Sequence, residues 1–143
     1  NDICLDKMSE LLSEDDNQIH ESVGRVFYWL TEEHFLPMRG LIEIYANRAK
    51  STNHKFTEYL YNCSLLDPEW SLSVAQIIIN NNGLFDQPLR SIWIEDIFRL
   101  VLRIYTNPTV SDRARGKSMD LFDILTEKRP DISLKILSEW DQR

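Results

Sequence analysis

The side chains that could do chemistry in this 143-residue chain are three histidines (His20, His34, His54), two cysteines (Cys4, Cys63) and 23 carboxylates set against 16 Lys and Arg. A zinc site needs three or four such ligands converging, yet each histidine falls in a different segment and no HExxH pair is present. Glu32-Glu33-His34 is the densest ligand-type triplet, but adjacent positions on a helix point in different directions and do not chelate as one face. Nucleophilic catalysis needs a thiol beside a base. Cys4 and Cys63 instead fall on apolar stripes, where a buried structural thiol is the usual outcome. The glycines Gly24, Gly40, Gly83 and Gly116 are isolated, so no loop lets backbone amides close on a phosphate. The Asn62-Cys63-Ser64 sequon lies inside a predicted helix and reads as chance. Carboxylates are many, but outside a cleft they solvate rather than act as acids. No metal, no cofactor and no enzyme activity is expected.

Charge is the next signal. Residues 1–34 hold nine acids against Lys7 and Arg25, a net −7, while the other 109 residues sum to zero. An acidic end repels nucleic acid and anionic lipid and steers a basic partner; Glu10, Glu14, Asp15, Asp16 and Glu21 are its candidate partner-binding face, with a solvated helix face as the simpler reading. Arg113, Arg115 and Lys117 form the best basic cluster, and Arg99 and Arg103 fall on the preceding predicted helix. They carry the alternative reading, a nucleic-acid-binding module, although Asp112, Asp120 and Asp123 offset them and phosphate contacts dominate such affinity.

These residues must be positioned by helices. Four Gly and five Pro are few for the length, and many-stranded folds need more turn punctuation. The spacing of apolar residues predicts about eight helices: 2–13, 17–32, one from Pro37 to the break at Ser51-Thr52-Asn53, 56–66, one from Pro68 to Asn80-Asn81-Asn82-Gly83, one from Asp86 or Pro88 to Tyr105, 111–127, and one from Pro130. Asp67-Pro68 stops one helix and opens the next. The four tryptophans (Trp29, Trp70, Trp93, Trp140) are read as core anchors. No apolar run is long enough for a membrane span, and two isolated thiols fit the reducing cytoplasm.

Internal matches point to repetition. Ile42-Glu43-Ile44-Tyr45-Ala46-Asn47 resembles Leu102-Arg103-Ile104-Tyr105-Thr106-Asn107, and Pro68-Glu69-Trp70-Ser71-Leu72-Ser73-Val74 resembles Pro130-Asp131-Ile132-Ser133-Leu134-Lys135-Ile136. The two offsets are nearly equal and imply a repeated block of three helices. Leu11-Leu12-Ser13-Glu14, Leu65-Leu66-Asp67-Pro68 and Ile124-Leu125-Thr126-Glu127 each close one helix before a polar turn, the pattern of a helical hairpin. One hairpin cannot bury its apolar face alone, so neighbours stack.

On these residues the chain resembles the HEAT and armadillo-like families. The resemblance implies an all-α fold of about eight helices in stacked antiparallel hairpins forming a right-handed superhelix, one helical-repeat domain over 1–143. Variable unit length and a third helix between hairpins depart from the HEAT pattern. The tail, Arg99-Leu100-Val101-Leu102-Arg103-Ile104-Tyr105 through Leu137-Ser138-Glu139-Trp140-Asp141, also resembles the helical C-terminal region of large bacterial ATPases. A chain opening on Asn1 with the wide apolar arc of Ile3, Cys4, Leu5, Met8, Leu11 and Leu12 is expected to be excised from a longer protein, its first helix covered by an upstream helix or a partner. The function expected is a protein-interaction scaffold or regulatory arm that meets another protein or another domain of its own chain, with nucleic acid disfavoured and a small helical enzyme least favoured.

Overall fold

A computed structural model describes residues 2–13, 17–49, 54–81 and 92–141. These residues are all-α: α1 Asp2–Ser13, α2 Asn17–Gly24, α3 Arg39–Arg48, α4 His54–Cys63, α5 Pro68–Asn80, α6 Ile92–Thr106, α7 Asp112–Lys128 and α8 Pro130–Asp141, with 3-10 turns at Arg25–Tyr28 and Glu32–His34. Local chemistry sets the helix ends. Asp67 accepts the Trp70 amide at 3.2 Å and Pro68 takes the first position of α5, an end where its missing N–H costs nothing. Ser111 does the same for α7, accepting the Ala114 amide at 3.1 Å. The predicted breaks at Glu14-Asp15-Asp16 and Ser51-Thr52-Asn53, and the predicted helix opening at Asp86 or Pro88, lie outside the described residues.

One expectation is corrected. The second helix does not run to residue 32; it ends at Gly24 and tightens into the 3-10 turn Arg25–Tyr28. Glycine and the bulky run Val26-Phe27-Tyr28 weaken α-helix. The tighter winding turns Phe27 inward against Phe56, at 4.7 Å between ring centres, and Tyr45, at 5.3 Å. Trp29 is left 83% exposed, so it is not the core anchor that its apolar neighbours imply.

Packing follows an alternating order. α1 lies on α3, α3 on α5 and α5 on α7; the turn after α2 lies on α4, α4 on α6 and α6 on α8. α1 also pairs with α2, α6 with α7 and α7 with α8. Buried aliphatic and aromatic side chains from the described helices join in one core, to which α6 gives Trp93, Ile94, Ile97, Phe98, Leu100, Val101, Leu102 and Ile104. Such a helix has to be covered on several sides, and α4, α5, α7 and α8 cover it.

Polar bonds lace each set laterally. Thr57 donates to Asp96 at 2.8 Å and Arg103 donates to the carbonyls of Tyr61 and Asn62, so α4 and α6 run the same way. Lys135 meets Glu95 at 2.9 Å and Arg99 meets Glu139 at 3.1 Å, joining α6 to α8. Arg113 meets Glu69 at 3.4 Å and Lys117 donates to Ser73 at 3.0 Å, joining α5 to α7. These partners are separated along the chain by 39 to 44 residues. Between α3 and α5 the separations are shorter, 27 to 35: Trp70 donates to Glu43, Arg39 meets Asp67 at 3.0 Å, and the Asn81 amide donates to the Ala46 and Ala49 carbonyls at 3.0 and 2.9 Å.

Candidate interaction clefts

Two clefts stand out, and they differ in chemistry. The first, about 380 Å³, lies between α1 and α2 and is lined by Met8, Leu11, Ile19, Val23 and Val26, with Gln18 and Ser22 as its polar members. Aliphatic side chains at helical spacing on both α1 and α2 make its walls. Leu12 and Val23 turn into the core, while Met8, Leu11 and Val26 are only partly covered. A mostly apolar concavity open on one side takes up apolar side chains from a partner.

The second cleft, about 450 Å³, is polar. Leu30, Thr31 and Glu32 form one wall, the end of α4 (Tyr59, Tyr61, Asn62, Cys63) the floor, and Arg103 of α6 the other wall. The Tyr59 hydroxyl donates to the Thr31 carbonyl at 2.8 Å. Arg103 caps the last carbonyls of α4 and stacks over the Tyr61 ring at 5.0 Å, which suits a cation at the negative end of a helix. Burial, reinforced by the negative charge of Glu32, pushes the Cys63 thiol up to about 11. Burial also raises Tyr59 well above the usual phenol range. At neutral pH both keep their protons. A protonated thiol is a poor nucleophile, and the His34 ring accepts the Thr31 amide at 3.0 Å within a capping box. The cleft therefore presents hydrogen-bonding surface without an activated group.

The sequence-derived candidates are dispersed. Arg99 bridges Glu95, Asp96 and Glu139 at 3.1–3.5 Å, and Arg103 serves the end of α4. Arg113 pairs with Glu69; Arg115 pairs with Asp112 at 3.3 Å and donates to the carbonyls of Tyr105 and Asn107; Lys117 bonds Ser73. Each of the five has an internal partner, and the bonds run to separate neighbours on α4, α5, α8 and the α6–α7 turn. Of the acidic face, Glu10 lies 3.7 Å from Lys7 and Glu21 is exposed; Glu14, Asp15 and Asp16 lie outside the described residues, as do the side chains of Cys4 and His20. Cys63 is a free, buried thiol. His54 pairs with Glu58 at 3.3 Å, and no group of three or more His, Cys, Asp or Glu suited to a metal occurs among the described residues. No helix among them is long and apolar enough to cross a membrane.

The polar cleft escapes sequence reasoning because its walls come from residues 30–32, 59–63 and 103, joined by the bond of Tyr59 to Thr31 and the packing of α4 on α6. The apolar cleft leaves a trace: more apolar positions on α1 than one covered face requires.

No protein-family model, curated protein or solved structure matches the chain.

Proposed function

We propose that this chain is a HEAT/armadillo-like helical-repeat module that binds another protein, or another domain of its own chain, as a scaffold or regulatory arm in the cytoplasm. The observation that carries the reading is the open apolar cleft of Met8, Leu11, Ile19, Val23 and Val26. Apolar side chains left partly uncovered, as Met8, Leu11, Ile19 and Val26 are, mark a contact surface. The alternating packing order and lateral bonds at separations of 39 to 44 residues support a superhelix of two-helix units, a spacing near the roughly 40–47 residues of HEAT and armadillo repeats. The protonated Cys63 thiol and the His34 Nδ1 held by the Thr31 amide weigh for binding over catalysis.

A photo-crosslinking residue in place of Ser22, which lines the cleft, tests the reading in the native host. A discrete protein adduct, or an intramolecular one in the native gene product, is the expected result, abolished when Met8→Gln and Val26→Thr are introduced together. No adduct, or adducts indifferent to those changes, would overturn it.

A further inference from the structure

We infer that the occupant of the α1–α2 cleft is a basic amphipathic helix, an inference that rests on the interaction-module reading above. The walls decide the first half. Met8 and Leu11 on α1, Ile19 on α2 and Val26 in the 3-10 turn that follows it present partly covered aliphatic and thioether surface, with Val23 of α2 buried beneath. A trough between two helix backs accepts a third rod whose apolar side chains recur at i, i+3, i+4 and i+7. An extended strand finds no sheet edge there to pair with, since no strand occurs among the described residues. Methionine in the wall is compatible with several aliphatic side-chain shapes.

Charge decides the second half. The first 34 residues carry nine acids and two bases, whereas the rest of the chain is balanced. Of the two bases, Lys7 is neutralised by Glu10 at 3.7 Å, while Arg25 is exposed. Glu21, three residues after Gln18 and so its neighbour on the helix surface, is exposed and makes no ion pair among the described residues. The connection between α1 and α2 adds Glu14, Asp15 and Asp16 to the same stretch of sequence. A helix whose polar flanks carry Lys or Arg is drawn to this end of the molecule, and one flanked by Glu or Asp is repelled.

The test uses three labelled peptides of equal length. One has leucines at i, i+3, i+4 and i+7 with lysine elsewhere; the second has the same leucines with glutamate for lysine; the third has the same lysines with serine for leucine. Anisotropy titrations of the whole chain at low and high salt give the affinities. The Leu–Lys peptide binds, and the Leu–Glu peptide binds at least about tenfold more weakly, as does the Ser–Lys peptide. High salt weakens the Leu–Lys complex. Met8→Gln with Val26→Thr costs about tenfold while the thermal midpoint holds, and Glu21→Lys weakens the Leu–Lys peptide and lessens its salt dependence. Equal binding of the Leu–Glu peptide overturns the charge selection and leaves the module reading standing. Equal binding of the Ser–Lys peptide, or indifference to the paired cleft variant, overturns the inference by reducing the effect to surface attraction. If no peptide binds but the Ser22 adduct forms, the inference fails alone; if neither occurs, both readings fail.

Discussion

At Cys63 two demands meet: the side chain fills the core under the end of α4, and its sulfur lies beside Tyr59 and within the field of Glu32. An acidic group whose pKa is raised on folding makes the folded state hold its proton while the unfolded chain gives it up. Stability is then present below the unfolded value and falls as pH rises through the folded one. For Cys63 that window runs from 9.0 to about 11. Urea midpoints of a Cys4→Ser chain are expected to fall across that window, and to fall less when Cys63→Ala is added. Asp96 carries the same sign at acid pH. Burial raises its carboxyl above the ordinary 3.8, only partly offset by Thr57 and Arg99. Stability contributed by the neutral form is therefore lost as pH climbs from 3.8 through the higher folded value, and the cost persists at neutrality. Asp96→Asn keeps an acceptor for Thr57 and leaves Arg99 with Glu95 and Glu139. It should flatten the pH dependence of the urea midpoint above pH 3.8 and leave stability near neutrality unchanged or higher. A marked loss at neutral pH would show that the Arg99 attraction outweighs the desolvation.

The helices themselves were legible wherever punctuation was strong. Asp67-Pro68 marks the real start of α5 and Asn80-Asn81 its end, and α5, α6 and α7 stop within two residues of where apolar spacing and turn chemistry place them, whereas α4 stops at Cys63, three residues before the expected Leu66. Spacing misleads where a glycine and β-branched or aromatic residues meet a tertiary demand, as at Gly24 to Trp29, because winding a few residues as 3-10 re-aims every side chain beyond it. The internal matches are informative in a different way. Ile42–Asn47 lies in α3 and Leu102–Asn107 runs from α6 into its end, while Pro68–Val74 opens α5 and Pro130–Ile136 opens α8. Each match thus pairs a helix of one packing row with a helix of the other. The similarity spans three helices, but lateral contacts join helices two apart. Similar burial at a helix end is enough to make two segments alike without making them equivalent. Within α7, Gly116 is exposed, has no positive φ, and a Cβ there would meet nothing within 4 Å. Gly116→Ala should raise stability by about 0.5–1 kcal/mol, read as a shift in urea midpoint at constant slope.

Over the whole molecule, protection is distributed unevenly. α6 is covered by four helices, and α1 and α2 border an open cleft. Native-state hydrogen exchange should therefore be slowest at the amides around Leu100, Val101 and Ile104, and fastest, among the helices, over residues 2–24. Uniform protection from α1 to α8 would contradict this gradient. The fold class was readable because helical periodicity is local. The two clefts were not, because each is made by elements that meet only after packing; of the charge pattern, Glu21 stays exposed, while the cations of α6 and α7 are drawn into bonds with neighbouring groups.

The lateral bonds between helices two apart, at separations of 39 to 44 residues everywhere but between α3 and α5, have a bearing on how such a chain could change length. On the helical-repeat proposal, inserting or deleting one whole hairpin in the middle would rebuild seams of this kind on either side. The same proposal places growth by duplication in the interior, since the apolar cleft belongs to α1, α2 and the turn after them.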